Sequence, residues 1–416
     1  MELHKRQLAD DEAPAGCRTK LEIHPDDFCI HFLRGCLYQQ QEQAMPDLTR
    51  FTEVVKLSPE LASYHYNQGV HHFSQGNFAQ AALSYLQAGT INPEDPDIFF
   101  NLALTMKKME YLEEAKEYYE KVLSLTPDDT DTHYNLGVLL KEMAASEQAV
   151  SSFEKVIALD PNYLSAHKYL AGLFQQMGRK NKALASYRKV IELNPASESA
   201  QHMLEALEGK TTATCPLAYA KELFDQFSDH FDDAMLTKLS CTIPAQLRLV
   251  MDDYPTDTFF ANGLDMGCGT GLSGLAFSDC VTHFTGIDLS GKMLAMAREK
   301  EVYAALDKND ILSFLEKTAE TFDFFLAADV FIYLADLRPI FGMIRQKARS
   351  HAYFLFSTEI CEENYCLQTT GRYAQAESYI NALADNCDFK VYCRHRVNLR
   401  KEKGEWVKGN LFLLTA

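Results

Sequence analysis

Several features that mark well-known classes of protein are missing from this 416-residue sequence. Its apolar runs are far shorter than the roughly 18 to 20 residues that cross a bilayer, and no basic start followed by an apolar stretch marks a secretory signal. Forty Lys and Arg against 58 Asp and Glu give a net charge of −18, and such a surface repels phosphate. We therefore expect neither a membrane span nor a nucleic-acid partner.

Cysteine motifs are also missing, although the chain has 11 cysteines. Their number is odd, no two are spaced as Cys-x-x-Cys, and none pairs with histidine at the spacing of a zinc finger. Free, mostly buried thiols in a reducing compartment are the simplest interpretation, which predicts a cytoplasmic protein without a metal site. Cys361 and Cys366, the closest pair, leave a redox site as the alternative.

The sequence does contain a period of 34 residues. Proline recurs at this interval without a slip, at Pro59, Pro93, Pro127, Pro161 and Pro195. In each unit a small residue occupies the eighth place and an aromatic residue the twenty-fourth. Small residues let two helices approach, the aromatic residue fills the space between them, and proline ends the second helix. The pattern resembles the tetratricopeptide repeat, which implies an all-α superhelix that binds a partner and contributes no chemistry of its own.

The period divides the first half of the chain into predicted segments. Residues 1–24 are polar and aperiodic, so we expect a flexible tail before a repeat domain over 25–208. That domain comprises a divergent repeat at 28–61, regular repeats at 62–95, 96–129, 130–163 and 164–197, and a capping helix at 198–208.

The first helix of each tetratricopeptide pair lines the concave face of the stack. Along these helices aromatic residues stand beside lysines, which predicts a groove for an extended acidic or apolar protein segment, formed by Tyr66, Phe73, Phe100, Lys107, Tyr134 and Lys141. Packing of the aromatic residues between neighbouring repeats is the alternative. Tyr66 and Val70 stand where repeats that clamp a chaperone tail carry Lys and Asn, so that subclass is disfavoured.

After Gly209 the period stops, and residues 209–216 are small and polar, which indicates a junction. Over 209–416 short β-rich runs alternate with helical stretches, as is typical of a doubly wound α/β domain. Residues 263–274 read GLDMGCGTGLSG, a glycine-rich turn between strand and helix that lets a ligand approach backbone amides. By itself this turn also matches the dinucleotide fingerprint G-x-G-x-x-G.

Two acidic residues favour a different ligand. Asp265 ends the predicted first strand, where a carboxylate would repel a pyrophosphate but suits the ammonium group of S-adenosylmethionine, directly or through water. Asp288 ends the second strand, 17 residues after Gly271, and can accept both ribose hydroxyls. Asp288 would suit NAD as well, whereas Asp265 would not. We therefore favour S-adenosylmethionine.

The runs DMGCGTG and GIDLS, beginning at Asp265 and Gly286, resemble motifs I and II of class I S-adenosylmethionine-dependent methyltransferases. The resemblance covers the C-terminal half and implies a Rossmann-like domain with a seven-stranded, mostly parallel sheet. It further implies an aromatic-rich helix over the cofactor at 219–231 and a fourth strand at 322–330 whose end faces the methyl group. The cofactor contacts that it implies are Asp265, Gly267, Cys268, Gly269, Gly271, Asp288, Leu289, Met293, Asp310, Ile311 and Ala327. Asp310 has a second interpretation, as the cap of the following helix.

The sequence does not identify the catalytic residues, because methyl transfer needs alignment of the reactants and exclusion of water more than it needs acid–base groups. Asp329, after the fourth strand, lines the acceptor pocket or caps a loop. In related enzymes an arginine and a tyrosine after strand five can hold a substrate carboxylate, and Arg372 and Tyr373 stand there; the alternative is a surface loop before a helix. We hypothesise that Arg372 anchors an anionic acceptor.

With its repeats, the chain is similar to predicted tetratricopeptide-containing methyltransferases of bacteria. We expect methyl transfer from S-adenosylmethionine, with the repeats recruiting a protein or carrier-bound acceptor. The alternatives are a small-molecule carboxylate methyltransferase whose repeats serve assembly, and a silent, cofactor-sensing scaffold.

Overall fold

A computed structural model of the chain describes residues 59–212, 214–221, 232, 241–253, 259–402 and 404–416. The chain forms two compact units that are divided between Leu193 and Asn194. The predicted tail, the divergent first repeat and most of the expected helix at 219–231 lie outside the described residues. Within the described residues, every helix is too short or too polar to cross a bilayer.

The described part of the first unit consists of helices that pack as successive hairpins. Their bounds are α1 (Pro59–Ser74), α2 (Phe78–Ile91), α3 (Pro96–Lys108), α4 (Leu112–Leu125), α5 (Thr130–Glu142), α6 (Ser146–Leu159), α7 (Leu164–Gln176) and α8 (Lys180–Leu193). Each second helix ends two residues before one of the recurring prolines, because the ring and the restricted residue before it disfavour further helix. The predicted repeat architecture is confirmed.

The in-phase small and aromatic residues meet inside two of the hairpins. A Cβ atom added to Gly69 would lie 2.6 Å from the Tyr85 ring, and one added to Gly137 would lie 2.8 Å from the Phe153 ring. Phe153 is fully buried and stacks on Tyr169 with the ring centroids 4.9 Å apart. The eighth place is therefore restricted to the smallest side chains.

Substituting valine for Gly137 is expected to lower the free energy of unfolding by about 1–3 kcal/mol, since the Phe153 ring has no space to move away. Gly172 in α7 is the matched control, because a Cβ atom there meets nothing within 4 Å. Gly172→Val is expected to change stability by less than about 0.5 kcal/mol or to stabilise. Urea denaturation of both full-length variants checks this, and equal losses would contradict the packing assigned to Gly137.

The predicted aromatic groove is wrong. Tyr66, Phe73, Phe100 and Tyr134 are only 1%, 6%, 3% and 3% exposed, so they belong to the core of the repeats. Their rings lie edge-on against neighbouring aromatic rings of the same hairpins, with centroids 5.3–5.9 Å apart for the pairs Tyr66–Tyr85, Phe73–Phe78, Phe100–Tyr119 and Tyr134–Phe153. Burial of these large apolar rings stabilises the hairpins, which is why they do not face a partner.

The second unit contains the predicted seven-stranded sheet. The order of the strands is β3–β2–β1–β4–β5–β9–β8, and all neighbouring pairs are parallel except those made by β9. The strands are β1 (Phe260–Met266), β2 (Val281–Asp288), β3 (Ala305–Lys308), β4 (Phe322–Ala327), β5 (Ala348–Glu359), β8 (Lys390–Glu402) and β9 (Glu405–Thr415). A hairpin of β6 (Tyr365–Leu367) and β7 (Tyr373–Gln375) is inserted after β5.

Helices accompany this sheet. They are α9 (Glu198–Glu208), α10 (Ile243–Asp252), α11 (Leu272–Phe277), α12 (Gly291–Glu299), α13 (Ile311–Lys317), α14 (Arg338–Lys347) and α15 (Glu377–Asn386). Apolar side chains of the central strands form the core with them, and Leu264, Phe325, Phe354 and Phe412 are fully buried. The carboxyl ends of β1, β2 and β4 meet at one edge, where the predicted site residues lie.

Helix α9 belongs to the second unit, which corrects its assignment as the cap of the repeats. His202 Nε2 lies 2.8 Å from the carbonyl oxygen of Gly371 in the β6–β7 turn, and Ala206 packs with Leu367 and Tyr373. An amphipathic helix covers whichever apolar surface it meets, and here that surface is the inserted hairpin.

Candidate functional site

The site is built around the loop from Gly267 to Gly271, which we call the glycine loop. It connects β1 to α11, and its three glycines have φ angles of +72°, +53° and +91°, a region that only glycine adopts readily. The amides of Gly267 and Cys268 both donate to the carbonyl oxygen of Ile287 at the end of β2, at 2.8 and 3.0 Å. The loop is thus fixed against β2. Nothing lies within 4 Å of a Cβ atom added to Gly269, so the loop has a bare outer surface there.

Asp288 holds this arrangement at the end of β2. One carboxylate oxygen accepts from the amide of Gly269 at 3.0 Å and the other from the amide of Ser290 at 2.8 Å. A carboxylate can accept about four hydrogen bonds, so these two bonds do not by themselves use up its capacity. The expected bonds to ribose hydroxyls are compatible with this geometry.

Asp265 lies at the end of β1 and is fully buried. Its Oδ2 accepts a hydrogen bond of 2.6 Å from the Tyr303 hydroxyl, whereas Oδ1 has no hydrogen-bond partner among the described residues. Burial, opposed by the Tyr303 hydrogen bond, raises the pKa of Asp265 to about 7. An unsatisfied buried carboxylate is costly to the fold, which is typical of a group kept for a ligand.

Tyr303 is a site residue that the sequence did not reveal. A Cβ atom added to Gly274 would lie 2.4 Å from the Tyr303 hydroxyl oxygen, so the small residue at this place in α11 makes room for the phenol. Tyr303 stands in the short segment before β3, outside any motif, and only the folded chain brings it to Asp265.

Hydrogen bonds involving Lys300 and Asp232 also hold the glycine loop in place. The Lys300 ammonium donates to the Thr270 carbonyl oxygen at 2.7 Å and to Asp232 at 2.8 Å, and the Thr270 hydroxyl bonds the same Asp232 carboxylate. Asp232 and Lys300 were not predicted. The Lys300–Asp232 pair therefore fixes Thr270, whose side chain is the only one in the glycine loop with a hydroxyl group.

A cavity of about 1280 Å³ opens beside the loop, and the residues that line it all belong to the second unit. The predicted cofactor residues that the structure places in its wall are Gly267, Cys268, Gly269, Asp288, Leu289, Asp310 and Ile311. Asp265, Gly271, Met293 and Ala327 do not line the cavity, and Asp265, Met293 and Ala327 are fully buried. Met293 and Ala327 therefore belong to the core rather than to the cavity wall.

Asp310 caps a helix and also lines the cavity. Its Oδ1 accepts from the amide of Ser313 at 2.9 Å and so caps α13, and the residue also lines the cavity. The cap fixes the carboxylate at the start of the helix, a position from which it can also contact a ligand.

Another part of the cavity wall contains Asp329, Tyr333, Arg372 and Arg400, and we call it the acceptor end after the role predicted for Asp329 and Arg372. Asp329 follows β4 with a φ angle of +58°, which is uncommon outside glycine, and its amide donates to the Ser357 hydroxyl at 2.8 Å. The sequence placed Asp329 and Arg372 here. It missed Tyr333 and Arg400.

Arg400 is the centre of an ion-pair cluster at the acceptor end. Its side chain is only 1% exposed and contacts Asp329 at 2.8 Å, Glu402 at 2.9 Å and also Glu359. Arg372 shares Glu402 with it. Burial alone would lower the pKa of Arg400, but the carboxylates of Asp329 and Glu359 outweigh it and raise that pKa. The alternation of polar and apolar residues in β8 does not predict that Arg400 is buried, since charged residues follow it directly.

Tyr373 is not an acceptor residue, contrary to the prediction. It is fully buried, its hydroxyl bonds the hydroxyl of Thr212, and it lies outside the cavity wall. Tyr373 is the first residue of β7 and packs with Ala206 of α9 instead.

These residues fit S-adenosylmethionine. The bare surface at Gly269 leaves space for a ligand, the unsatisfied Asp265 oxygen suits a cationic group, and Asp288 and Asp310 offer acceptors to hydroxyl and amino groups. Burial, with Asp265 and Asp288 nearby, raises the pKa of the Cys268 thiol well above its usual range, so this cysteine is neutral rather than a nucleophile.

Comparisons with known families agree with this geometry. Residues 264–349 match the family described as methyltransferase domain. The first unit matches the tetratricopeptide repeat, at 69–110, 96–129, 130–163 and 170–197. No curated protein matches the chain significantly.

Solved structures resemble parts of the chain at low sequence identity. The N-methyltransferase NodS from Bradyrhizobium japonicum WM9, in complex with S-adenosylhomocysteine, is 20% identical, with a TM-score of 0.38, and the match covers 47% of this chain and 97% of NodS. An S-adenosylmethionine-dependent methyltransferase from Clostridium acetobutylicum ATCC 824 is 15% identical, with a TM-score of 0.36 and coverage of 46% and 98%. Magnesium protoporphyrin IX methyltransferase from Synechocystis PCC 6803, with bound S-adenosylhomocysteine, is 16% identical, with a TM-score of 0.33 and coverage of 42% and 81%.

Proposed function

Since the chain is an S-adenosylmethionine-dependent methyltransferase with N-terminal tetratricopeptide repeats, we propose that it methylates a protein or carrier-bound acceptor that the repeats recruit. The proposal concerns the role of the repeats and the size of the acceptor. When bound, the cofactor supplies an electrophilic methyl group, whose carbon receives the lone pair of the acceptor while sulfur keeps the electrons of the bond that breaks.

The residues of the second unit hold and orient the two reactants. The glycine loop leaves room for the cofactor beside Gly269, and Asp288 both braces the loop and offers acceptors. Asp329 and Arg400 line the acceptor end of the cavity, so an acceptor bound there is positioned by a fixed carboxylate and a fixed guanidinium group. Alignment in a largely apolar cavity is the main contribution such a site makes to methyl transfer.

Recruitment by the repeats is supported by one observation, three lysines on successive first helices, at the twelfth place of two repeats and the fifth place of the next, which we call the lysine row. Lys107, Lys141 and Lys168 stand in three successive repeats of a chain whose net charge is −18. Lys141 and Lys168 are exposed, and Lys107 is half-buried beside Glu142. A local positive row on an acidic protein favours an acidic segment of a partner.

Aliphatic residues share these helices with the lysines. Val70, Leu104 and Val138 occupy the ninth place of three repeats and are all partly exposed. With the aromatic residues buried, this combination of aliphatic and basic side chains is what the first helices offer a partner. We therefore assign an extended, acidic segment with apolar residues as the recruited element.

Charge reversal of the lysine row tests recruitment. Full-length protein carrying Lys107→Glu, Lys141→Glu and Lys168→Glu is incubated with tritium-methyl-labelled S-adenosylmethionine and a cell extract, and the products are separated by size. We expect label in the macromolecular fraction to fall at least about fivefold, because the row loses its attraction for an acidic partner. Affinity for S-adenosylmethionine, measured by calorimetry, should stay unchanged.

The matched control reverses three lysines on second helices, Lys116, Lys155 and Lys182, which pair with nearby acids. These changes should leave macromolecular labelling within about twofold of the unaltered protein. Equal loss in both triple variants would indicate a general charge effect. Label confined to small molecules would contradict recruitment and favour the small-molecule alternative.

A further inference from the structure

The ion-pair cluster at the acceptor end contains more negative than positive charge. Asp329, Glu359 and Glu402 contact Arg372 and Arg400, so three carboxylates face two guanidinium groups and one negative charge is left over. Of these five residues, Asp329, Arg372 and Arg400 line the cavity, whereas Glu359 and Glu402 pair with the arginines outside its lining. The other charged residue in this part of the wall, within the described chain, is Asp336, which is paired with Arg338 at 2.5 Å. The electrostatic balance of the acceptor end is therefore negative.

Neither arginine is well placed to anchor an anion. All three nitrogens of the Arg400 guanidinium are in contact with carboxylates, Nε with Glu402, Nη1 with Asp329 and Nη2 with Glu359. Arg372 directs Nη1 to Glu402. A carboxylate acceptor would have to compete with these built-in partners and would meet the repulsion of Asp329, which lines the cavity itself.

The surroundings strengthen the effect of the excess charge. Leu334, Ala335, Pro339 and Ile340 form apolar wall beside the cluster, and the aromatic residue Tyr333 lies among them. Charges act over longer distances in such surroundings than in water, and an aromatic ring tolerates a nearby cation.

Asp329 is held in one position by two independent contacts. Its amide bonds the Ser357 hydroxyl, and its Oδ1 accepts from Arg400 at 2.8 Å. A carboxylate fixed in this way can accept a hydrogen bond from an acceptor N–H and direct the nitrogen lone pair. A bound ammonium releases one proton to water, which frees the lone pair for attack. Asp329 then stabilises the positive charge that develops on nitrogen as the methyl group is transferred, and a second proton leaves to water afterwards.

We propose that the acceptor atom is an amine nitrogen, that Asp329 binds it, and that Arg400 is the positioning residue for Asp329. The proposal rests on methyl transfer by this chain and deepens it by naming the class of acceptor. It replaces the anionic acceptor that the sequence suggested for Arg372.

Two small probes of similar shape and opposite charge test the proposal. Benzylamine and benzoate are titrated by calorimetry into full-length protein saturated with S-adenosylhomocysteine. We expect benzylammonium to bind at least about tenfold more tightly than benzoate, because of the excess carboxylate. Tighter binding of benzoate, or equal binding of the two, overturns the proposal.

Two substitutions of opposite sign separate a specific effect from misfolding. Asp329→Asn should abolish the preference for benzylammonium, whereas Arg372→Met, which removes a positive charge, should preserve or increase it. If benzoate is the tighter-binding probe and Arg372→Met weakens its binding, Arg372 is an anchor for an anion and the proposal is wrong. Asp279→Asn, at an exposed aspartate that pairs with Arg248 away from the cavity, is the matched control and should change nothing.

The outcome is independent of recruitment by the repeats, since both probes enter the cavity as free molecules. Failure of the lysine variants to alter macromolecular labelling removes recruitment but leaves the amine preference standing. If the protein binds S-adenosylhomocysteine but prefers benzoate, the amine acceptor is wrong and methyl transfer by this chain still stands.

Discussion

Replacing Asp265 with asparagine is expected to weaken binding of S-adenosylmethionine about 10- to 100-fold, because it removes the charge of a buried carboxylate with an unsatisfied oxygen below the glycine loop. Asn keeps the shape of the side chain and can still accept from Tyr303, so the fold should be retained. Calorimetric titration of the full-length variant measures the loss. Asp323→Asn, far along the sheet at the amino end of β4, is the control and should bind the cofactor normally.

The pH dependence of the same residue gives a second measurement on this prediction. The pKa of Asp265 is raised to about 7 in the folded protein, above its value of about 3.9 in an unfolded chain. The folded state therefore binds the proton more tightly, and the contribution of Asp265 to stability is fully present below about pH 4 and declines as the pH rises to about 7. The melting temperature of Asp265→Asn minus that of the unaltered protein should increase over this window.

Cofactor affinity should follow the opposite course in the unaltered protein. The ionised carboxylate attracts an ammonium group, so affinity should rise from pH 5 to about pH 7 and then level off. In Asp265→Asn this rise should disappear. A melting-temperature difference that is constant with pH, together with an unchanged affinity profile, would show that Asp265 does not titrate in this range.

Replacing Arg400 with methionine is expected to lower the free energy of unfolding by about 3–5 kcal/mol, because it leaves the carboxylates of Asp329 and Glu359 buried without their partner. Methionine fills much of the same volume, so the loss reports charge rather than a cavity. Urea denaturation monitored by tyrosine fluorescence of the full-length protein measures it.

The control for Arg400 is an exposed ion pair. Arg349 lies 3.3 Å from Asp323 and its side chain is 41% exposed, so Arg349→Met should cost no more than about 1 kcal/mol. A similarly small loss for Arg400→Met would mean that the buried cluster does not hold the acceptor end together, and it would also remove the physical basis for positioning Asp329.

The repeats and the sheet could be predicted because both depend on local, periodic patterns. Proline at every 34th residue ends a helix wherever it occurs, and the glycine loop requires φ angles that few other residues adopt. Asp288 was predictable for the same reason, since it follows a strand that a short motif identifies.

What the sequence could not reveal depends on contacts between distant segments. Tyr66 is aromatic and at a groove position, but only the packed hairpin shows that its ring lies against Tyr85. Likewise Arg400 lies among charged residues in β8 and reaches Asp329 across 71 positions of sequence. Burial of a charged side chain cannot be read from residue type, because it is decided by partners elsewhere in the chain.

The most direct test of the central claim, that Asp265, Asp288 and the glycine loop bind a methyl donor, is a calorimetric titration of the full-length protein with S-adenosylmethionine and, separately, with NAD. We expect saturable binding of S-adenosylmethionine at one site per chain and no heat from NAD. Saturable binding of NAD, with no response to S-adenosylmethionine, would contradict the claim.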